Sequence, residues 1–170
     1  MNLSGRARVF GDDVNTDYII SSARKRGSID ASALTEFLFE SIAPGFAASV
    51  EDGDILVAGR NFGCGSAMEV AATVIQAAGM RAVLAKSFSR AFYRNAINNG
   101  LLVIECDTSS IREGDKLDVT LTEHAAEVLN VTRDDRLHGA PLPAIMLRIL
   151  SAGGLVRFLR DRQGWDGPAA

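Results

Sequence analysis

The side chains best suited to chemistry lie in a glycine-rich turn at residues 60–66, Arg-Asn-Phe-Gly-Cys-Gly-Ser. Residues 54–59 before the turn form an apolar run of strand length. After the turn, apolar residues recur at helical spacing, which predicts a helix over residues 66–78. A strand, a glycine-rich turn and a helix in this order direct the amides of a helix N-terminus at a ligand. The hydroxyl of Ser66 is therefore expected among unpaired donors at the positive end of the helix dipole, where an alkoxide or a carboxylate is stabilised.

Two residues of this turn also have ordinary structural interpretations. Ser66 precedes Glu69 by three residues, which is the pattern of a capping box, so the serine could serve only as a helix cap. Cys64 would be activated as a nucleophile beside a helix N-terminus, but a free cysteine is often a small buried packing residue. No histidine motif accompanies Ser66 and no Gly-x-Ser-x-Gly sequence surrounds it, so hydrolase chemistry is poorly supported.

A second candidate for chemistry is the basic segment that precedes the turn along the chain. Arg24, Lys25 and Arg26 are consecutive in a protein whose net charge is −3. Three adjacent cations in an acidic protein indicate an anion-binding loop, and a solvated run of charges is the alternative.

The composition argues against several classes of protein. The 170 residues include 18 basic and 21 acidic side chains, whereas a nucleic-acid-binding surface is usually basic. No apolar segment reaches membrane-spanning length, and the first residues lack the apolar run of a signal peptide, so we expect no membrane association and a cytoplasmic location. Two cysteines and two histidines are too few for a structural zinc site or an iron–sulfur cluster held by this chain alone.

The elements that must position these residues alternate along the chain. Alternation of strand and helix after residue 54 predicts a parallel sheet with crossover helices, and alternating polarity after residue 115 predicts antiparallel strands. The predicted strands are 7–10, 54–59, 81–85, 101–106, 116–121 and 126–131. The predicted helices are 31–41 capped by Asp30, 66–78, 87–98 capped by Ser87, and 143–161 interrupted at Gly153-Gly154. The whole chain, 1–170, is predicted to be one domain with a frayed tail at 165–170.

Four motifs, in order through the chain, carry a resemblance to a known family. They are Gly11-Asp-Asp-Val-Asn-Thr-Asp-Tyr-Ile-Ile20, Asn61-Phe-Gly-Cys-Gly-Ser66, Ala85-Lys-Ser-Phe-Ser-Arg-Ala-Phe-Tyr-Arg-Asn-Ala-Ile-Asn98 and Pro141-Leu-Pro143. Together they resemble the small subunit of 3-isopropylmalate dehydratase, which corresponds to the swivelling domain of the aconitase superfamily. The similarity runs nearly end to end, and it implies an α/β fold, the three-layer swivelling β/β/α domain of the aconitase small-subunit type.

The resemblance also implies a partner and a reaction. The partner is a large subunit that carries a [4Fe–4S] cluster, and the reaction is elimination and re-addition of water on a malate-like hydroxy acid. In the family, the cluster iron acts as a Lewis acid on the hydroxyl and a carboxylate, while a serine alkoxide of the small subunit removes the proton alpha to a carboxylate. Ser66 corresponds to that serine, and a helix N-terminus would favour its ionised form.

The family motif continues Gly-Ser-Ser-Arg-Glu, and this chain departs from it at two positions. Ala67 replaces a serine that donates a hydrogen bond to substrate, and Met68 replaces an arginine that binds a substrate carboxylate. Asp17 corresponds to a residue of the Thr-Asp motif that shapes the floor of the site, and Arg26 to a second substrate arginine in a specificity loop. Because methionine cannot make a bidentate contact with a carboxylate, we expect an altered substrate with an uncharged group in place of one carboxylate.

Two other functions are compatible with these residues. The chain could be the small subunit of a true 3-isopropylmalate isomerase of leucine biosynthesis, in which Lys25 or Arg24 replaces the missing arginine. It could instead be a non-catalytic paralogue that binds or regulates a large subunit, a role that does not require Ser66 or Arg26. Activity of the reconstituted pair separates the enzymes from the paralogue, and a panel of substrates separates the two enzymes.

Overall fold

A mixed seven-stranded sheet forms the centre of the protein. The structure is a computed structural model and describes residues 1–26 and 30–161. The strands are β1 Asn2–Val9, β2 Ile55–Ala58, β3 Ala82–Ala85, β4 Leu102–Glu105, β5 Lys116–Leu121, β6 Ala126–Asn130 and β7 Asp135–Gly139. Their order across the sheet is β4-β3-β2-β1-β5-β6-β7.

Strand β1 joins the parallel half of the sheet to the antiparallel half. Its second half pairs in parallel with β2, with Ala7 opposite Ile55, and its first half pairs antiparallel with β5, with Leu3 opposite Val119. In β2 and β3 every residue is buried, as expected for parallel strands covered on both faces. In β5 the buried residues alternate with more exposed ones. The predicted parallel and antiparallel regions are therefore both confirmed.

The two outer strands of the sheet approach each other at one corner. Cys106, directly after β4, forms an isolated bridge with Gly139 at the end of β7. Next to it, the amide of Ala140 donates to the carbonyl of Glu105 at 2.9 Å. The sheet is therefore nearly closed into a barrel.

The longer helices pack on the parallel half of the sheet. In α5, all five apolar residues between positions 70 and 75 are buried. No helix among the described residues is both long and apolar enough to cross a membrane. The helices are α1 Thr16–Ile19, α2 Ser22–Lys25, α3 Ala31–Leu34, α4 Phe46–Ser49, α5 Glu69–Ala77, α6 Arg90–Asn98, α7 Ala144–Ser151 and α8 Leu155–Asp161, with a 3-10 turn at Thr35–Phe37.

The predicted starts of the two crossover helices are wrong. The carbonyl of Ser66 accepts hydrogen bonds from the amide of Met68 at 2.8 Å and the hydroxyl of Thr16 at 2.9 Å, so these residues form a tight turn. α5 consequently begins at Glu69 with Met68 as its N-cap, and the predicted capping box is absent. α6 is capped by Ser89 instead of Ser87, whose hydroxyl accepts the amide of Asn61 at 2.9 Å.

The predicted helix over 31–41 is also wrong beyond its first turn. Asp30 caps α3 as predicted, since its carboxylate accepts the amide of Ser32 at 3.0 Å. The chain leaves the helical conformation at Leu38, whose ψ is 120°. Phe39 follows with a φ of +57°, and its ring stacks on Phe10 at 4.3 Å between centroids. The break predicted at Gly153-Gly154 is confirmed, because it separates α7 from α8. The predicted tail at 165–170 and residues 27–29 of the predicted specificity loop lie outside the described residues.

Candidate active site

The turn that holds Ser66 follows the carboxyl end of β2 and has no room for side chains at its two glycines. Gly63 has a φ of +75°, and a Cβ atom there would come within 2.3 Å of Phe92. Gly65 has a φ of +93°, and a Cβ atom there would come within 2.3 Å of the Asn15 side chain. Only glycine combines this backbone conformation with so close an approach, so both glycines are needed to place Ser66.

Residues 14–16 form one wall of this turn. The amide of Gly63 donates to the carbonyl of Val14 at 2.8 Å, and the amide of Thr16 donates to the carbonyl of Cys64 at 2.7 Å. The hydroxyl of Thr16, which is 1% exposed, donates to the carbonyl of Ser66 at 2.9 Å. Thr16 therefore fixes the backbone of Ser66 directly. The sequence contained this threonine in a recognised motif, but no local pattern showed its contact.

The side chains at the end of the turn differ in exposure. Ser66 and Ala67 are exposed, whereas Met68 is only 4% exposed. Among residues 1–26 and 30–161, none forms a hydrogen bond with the hydroxyl of Ser66. α5 begins shortly afterwards without a capping side chain. The amide of Ala71 donates to the carbonyl of Met68 at 3.3 Å, which leaves the amides of Glu69 and Val70 for a ligand. An anionic substrate could thus meet a free hydroxyl and a helix N-terminus together.

Asp17 and Met68 are connected through Ser22. The carboxylate of Asp17 accepts hydrogen bonds from the amide and the hydroxyl of Ser22 at 3.0 and 2.6 Å. The same hydroxyl lies 3.9 Å from the sulfur of Met68, which is a weak acceptor. The structure therefore brings Asp17 and Met68 together beside the start of α2, but it places the Met68 side chain in the core.

The basic segment contains cations in different surroundings. Arg24 donates from Nε and Nη2 to the two carboxylate oxygens of Glu40 at 2.9 and 3.0 Å, and its guanidinium lies 3.9 Å from the centroid of the Phe37 ring. The side-chain hydrogen bonds of this pair hold the pKa of Glu40 below its usual value and raise that of Arg24. Arg26 is exposed at the end of α2, and its side chain makes no ion pair with any part of the chain that the structure describes.

The two cysteines lie in different surroundings. Burial raises the pKa of the Cys106 thiol to about 11, so this thiol is protonated at neutral pH and unreactive. Cys64 forms an isolated backbone bridge with Asn15 in the wall of the turn. In the described ranges, no three His, Cys, Asp or Glu side chains are grouped so that they could hold a metal ion. These residues therefore do not fit an iron–sulfur cluster resident in this chain.

A charged cleft at the carboxyl ends of the parallel strands contains none of the predicted site residues. Arg60 forms an ion pair with Asp12 at 3.1 Å, and Lys86 with Asp107 at 3.7 Å. Because its cations are neutralised within the chain, we assign this cleft no ligand.

Comparison with known proteins identifies the family to which this turn and sheet belong. The family model of the aconitase C-terminal domain matches residues 44–109, which include the turn and the strands β2 to β4. A 3-isopropylmalate dehydratase small subunit of Methanopyrus kandleri is 43% identical over 99% of this chain and 96% of its own length. This chain belongs to the family of 3-isopropylmalate dehydratase small subunits. Another relative, the isopropylmalate/citramalate isomerase small subunit of Methanocaldococcus jannaschii, is 42% identical over 94% of this chain and 95% of its own length.

A solved structure of the family has the same fold. The crystal structure of 3-isopropylmalate dehydratase from Methanocaldococcus jannaschii matches with a TM-score of 0.90 and 40% identity, covering 96% of each chain. The predicted α/β fold of the aconitase small-subunit type is thereby confirmed.

Proposed function

We propose that this chain is the small subunit of a heteromeric, cytoplasmic hydro-lyase that dehydrates and rehydrates a malate-like hydroxy acid, with Ser66 as the base. The observation that carries the proposal is the exposed hydroxyl of Ser66 on a turn fixed by two glycines and Thr16, directly before an uncapped helix. The names of its relatives, which are dehydratase and isomerase small subunits, support the class of reaction.

Each residue of the site has a distinct task in this proposal. The oxygen Oγ of Ser66 takes the proton alpha to a substrate carboxylate and returns it when water adds back. The amides at the start of α5 stabilise negative charge near that oxygen, and Thr16 keeps the serine backbone in place. Arg26 binds a substrate carboxylate through two parallel N–H donors.

The departing hydroxyl group needs assistance that the described residues of this chain do not supply. We therefore assign the [4Fe–4S] cluster to the partner large subunit, where it would supply Lewis-acid chemistry when bound.

Replacing Ser66 by alanine tests the proposal in the enzyme reconstituted with its large subunit. No described residue bonds to the lost hydroxyl, so the free energy of unfolding should change by less than about 0.5 kcal/mol. Turnover should fall by about 10²–10⁴-fold or more, while substrate binding changes little. Ser32→Ala, at an exposed serine of α3, is the matched control. Near-normal turnover of Ser66→Ala would show that this serine is not the base.

The buried apolar side chain of Met68 favours a second version of this function, with an altered substrate. An uncharged group would then take the place of one carboxylate of isopropylmalate. Arg24 is a poor replacement for the family's arginine because it is bound to Glu40, which leaves Lys25 as the candidate cation for the isopropylmalate version. Kinetics on 3-isopropylmalate distinguish the two versions, because efficient turnover by the wild-type pair would exclude the altered substrate. If the pair turned over no malate-like acid at all, the non-catalytic paralogue would be favoured.

A further inference from the structure

Helix α2 has no apolar anchor of its own. It contains only Ser22–Lys25, and none of its residues is buried. A helix of four residues is far below the length at which isolated helices are stable in water. Its conformation must therefore be held by contacts with other elements, and the described contacts are hydrogen bonds and one cation–π contact.

Two such contacts hold α2, one at its start and one along its length. At the start, the carboxylate of Asp17 accepts both the amide and the hydroxyl of Ser22. Further along, Arg24 reaches the segment after α3, where it stacks on Phe37 at 3.9 Å and bonds both carboxylate oxygens of Glu40. We call Arg24, Phe37 and Glu40 the clamp. Its geometry requires a planar guanidinium, because an ammonium group can neither bond both oxygens as a fork nor stack on a ring.

The direction of the Arg24 side chain determines the direction of Arg26. Arg26 continues the helical backbone of α2, with φ −64° and ψ −25°. Residues two apart on a helix are separated by about 200° around its axis, so they lie on nearly opposite sides. With Arg24 directed at Phe37 and Glu40, Arg26 is directed away from them, which agrees with its exposed side chain.

We infer that Arg24 is a positioning residue, held by Phe37 and Glu40, that fixes α2 and so presents Arg26 to the substrate. The inference rests on the proposed function, in which Arg26 binds a substrate carboxylate. Without the clamp, substrate binding would have to order both α2 and the long Arg26 side chain, at an entropic cost. Arg26 would hold the carboxylate in the ground state and the transition state alike. Loss of the clamp should therefore raise KM more than it lowers kcat.

The test compares two substitutions that each remove a carboxylate from a surface ion pair. Glu40→Gln breaks the clamp, and Asp52→Asn breaks the pair of Arg81 and Asp52, whose atoms lie 2.7 Å apart. In the reconstituted enzyme, Glu40→Gln should raise KM about three- to tenfold with a smaller change in kcat. It should also accelerate hydrogen exchange of the amides of Arg24 and Lys25, which bond to the carbonyl of Ser21. Arg24→Lys should reproduce both effects, and Asp52→Asn should produce neither.

The outcomes separate this inference from the function on which it rests. If the wild-type pair is active and Ser66→Ala abolishes turnover, yet Glu40→Gln leaves KM or the exchange of α2 unchanged, the clamp is overturned and the proposed function stands. A loss confined to kcat would likewise overturn the clamp. If the wild-type pair turns over no hydroxy acid, the substrate role of Arg26 fails, and the inference fails with it.

Discussion

Among single residues, Met68 departs most from the family motif, and its surroundings restrict what could replace it. The side chain is 4% exposed, and its polar neighbour is Ser22, which is already bound to Asp17. A guanidinium at this position would need partners, since a buried unpaired charge is strongly destabilising. The Asp17 carboxylate lies one hydrogen bond beyond Ser22. In the proposed function, a substrate carboxylate would be the other partner.

Met68→Arg combined with Ala67→Ser therefore tests what this position contributes to substrate choice. A hydrogen bond between charged partners contributes about 1.5–3 kcal/mol, so the ratio of kcat/KM for a malate-type diacid to that for the native substrate should rise at least about tenfold. Met68→Leu is the control, because a swap that conserves volume costs less than about 1.5 kcal/mol and should leave the ratio unchanged. A folded double variant with the wild-type ratio would contradict this role for position 68.

Residue types and local spacing do not show which distant groups the site residues contact. The motif identifies Ser66, but its predicted capping role is wrong. Thr16, 50 residues away in sequence, and Met68 hold the carbonyl of Ser66 in a turn, and α5 begins only at Glu69. The sequence predicts one role, anion binding or solvation, for Arg24 and its two basic neighbours together. Its actual partner, Glu40, lies 16 residues away. A local pattern carries no information about partners at such separations, so these contacts required the folded structure.

At the scale of elements, the turn between β2 and α5 depends on the absence of side chains. Gly63→Ala would introduce a Cβ atom 2.3 Å from Phe92 at a φ of +75°. We expect the free energy of unfolding to fall by at least about 2 kcal/mol, from backbone strain and overpacking together. Urea denaturation of the purified chain measures the change. At Gly11 a Cβ atom would meet nothing within 4 Å, so Gly11→Ala should alter stability by less than about 1 kcal/mol. Equal effects at the two glycines would contradict this account of the turn.

The elements that the sequence predicted best are those with a strong apolar signal of their own. The strands β2, β3 and β4 are buried runs except at Glu105, the last residue of β4, so their apolar sequences predict each strand to within a residue at either end. Strand β7 has no such signal and is absent from the predicted strands, because only Leu137 among its residues is buried. Its conformation is imposed by pairing with β6, and such pairing is decided by context more than by intrinsic preference.

At the scale of the whole molecule, a cluster of charges joins the two halves of the sheet. Arg8 of β1 is 7% exposed and Asp54, just before β2, is 2% exposed. Arg8 bonds to Asp54 at 3.1 Å and to Glu113, just ahead of β5, at 2.8 Å. The guanidinium also lies 4.5 Å from the centre of the Phe46 ring. Removing only one partner of such a buried pair strongly destabilises the protein, because the other charge is left buried and unpaired.

The stability of the protein should accordingly depend on pH in the acid range. Burial by itself would raise the pKa of Asp54, but hydrogen bonds from Arg6, the Glu51 amide and Arg8 outweigh it and lower the pKa. The stabilisation is therefore complete above the unfolded pKa of about 3.9 and is lost as the pH falls through the folded value. Urea denaturation at a series of pH values should show a decline in the free energy of unfolding below about pH 4.

Substitution of Asp54 checks the origin of that decline. Asp54→Asn should cost about 3–5 kcal/mol at neutral pH and reduce the slope in acid. Glu123→Gln, at an exposed carboxylate, should leave the profile unchanged. An acid slope in Asp54→Asn as steep as that of the wild type would assign the decline to other carboxylates.

The central position of β1 has a consequence for synthesis on the ribosome. Its second half finds its partner when β2 emerges, but its first half waits for β5, since Leu3 pairs with Val119. At a synthesis rate of about 5–20 residues per second, the edge of β1 that pairs with β5 stays unpaired for several seconds. An unpaired edge is a template for pairing with another nascent chain. The waiting segment is Asn2-Leu-Ser-Gly-Arg6, a polar sequence for the middle strand of seven. A polar segment with a charged residue should pair with another nascent chain less readily than an apolar one would.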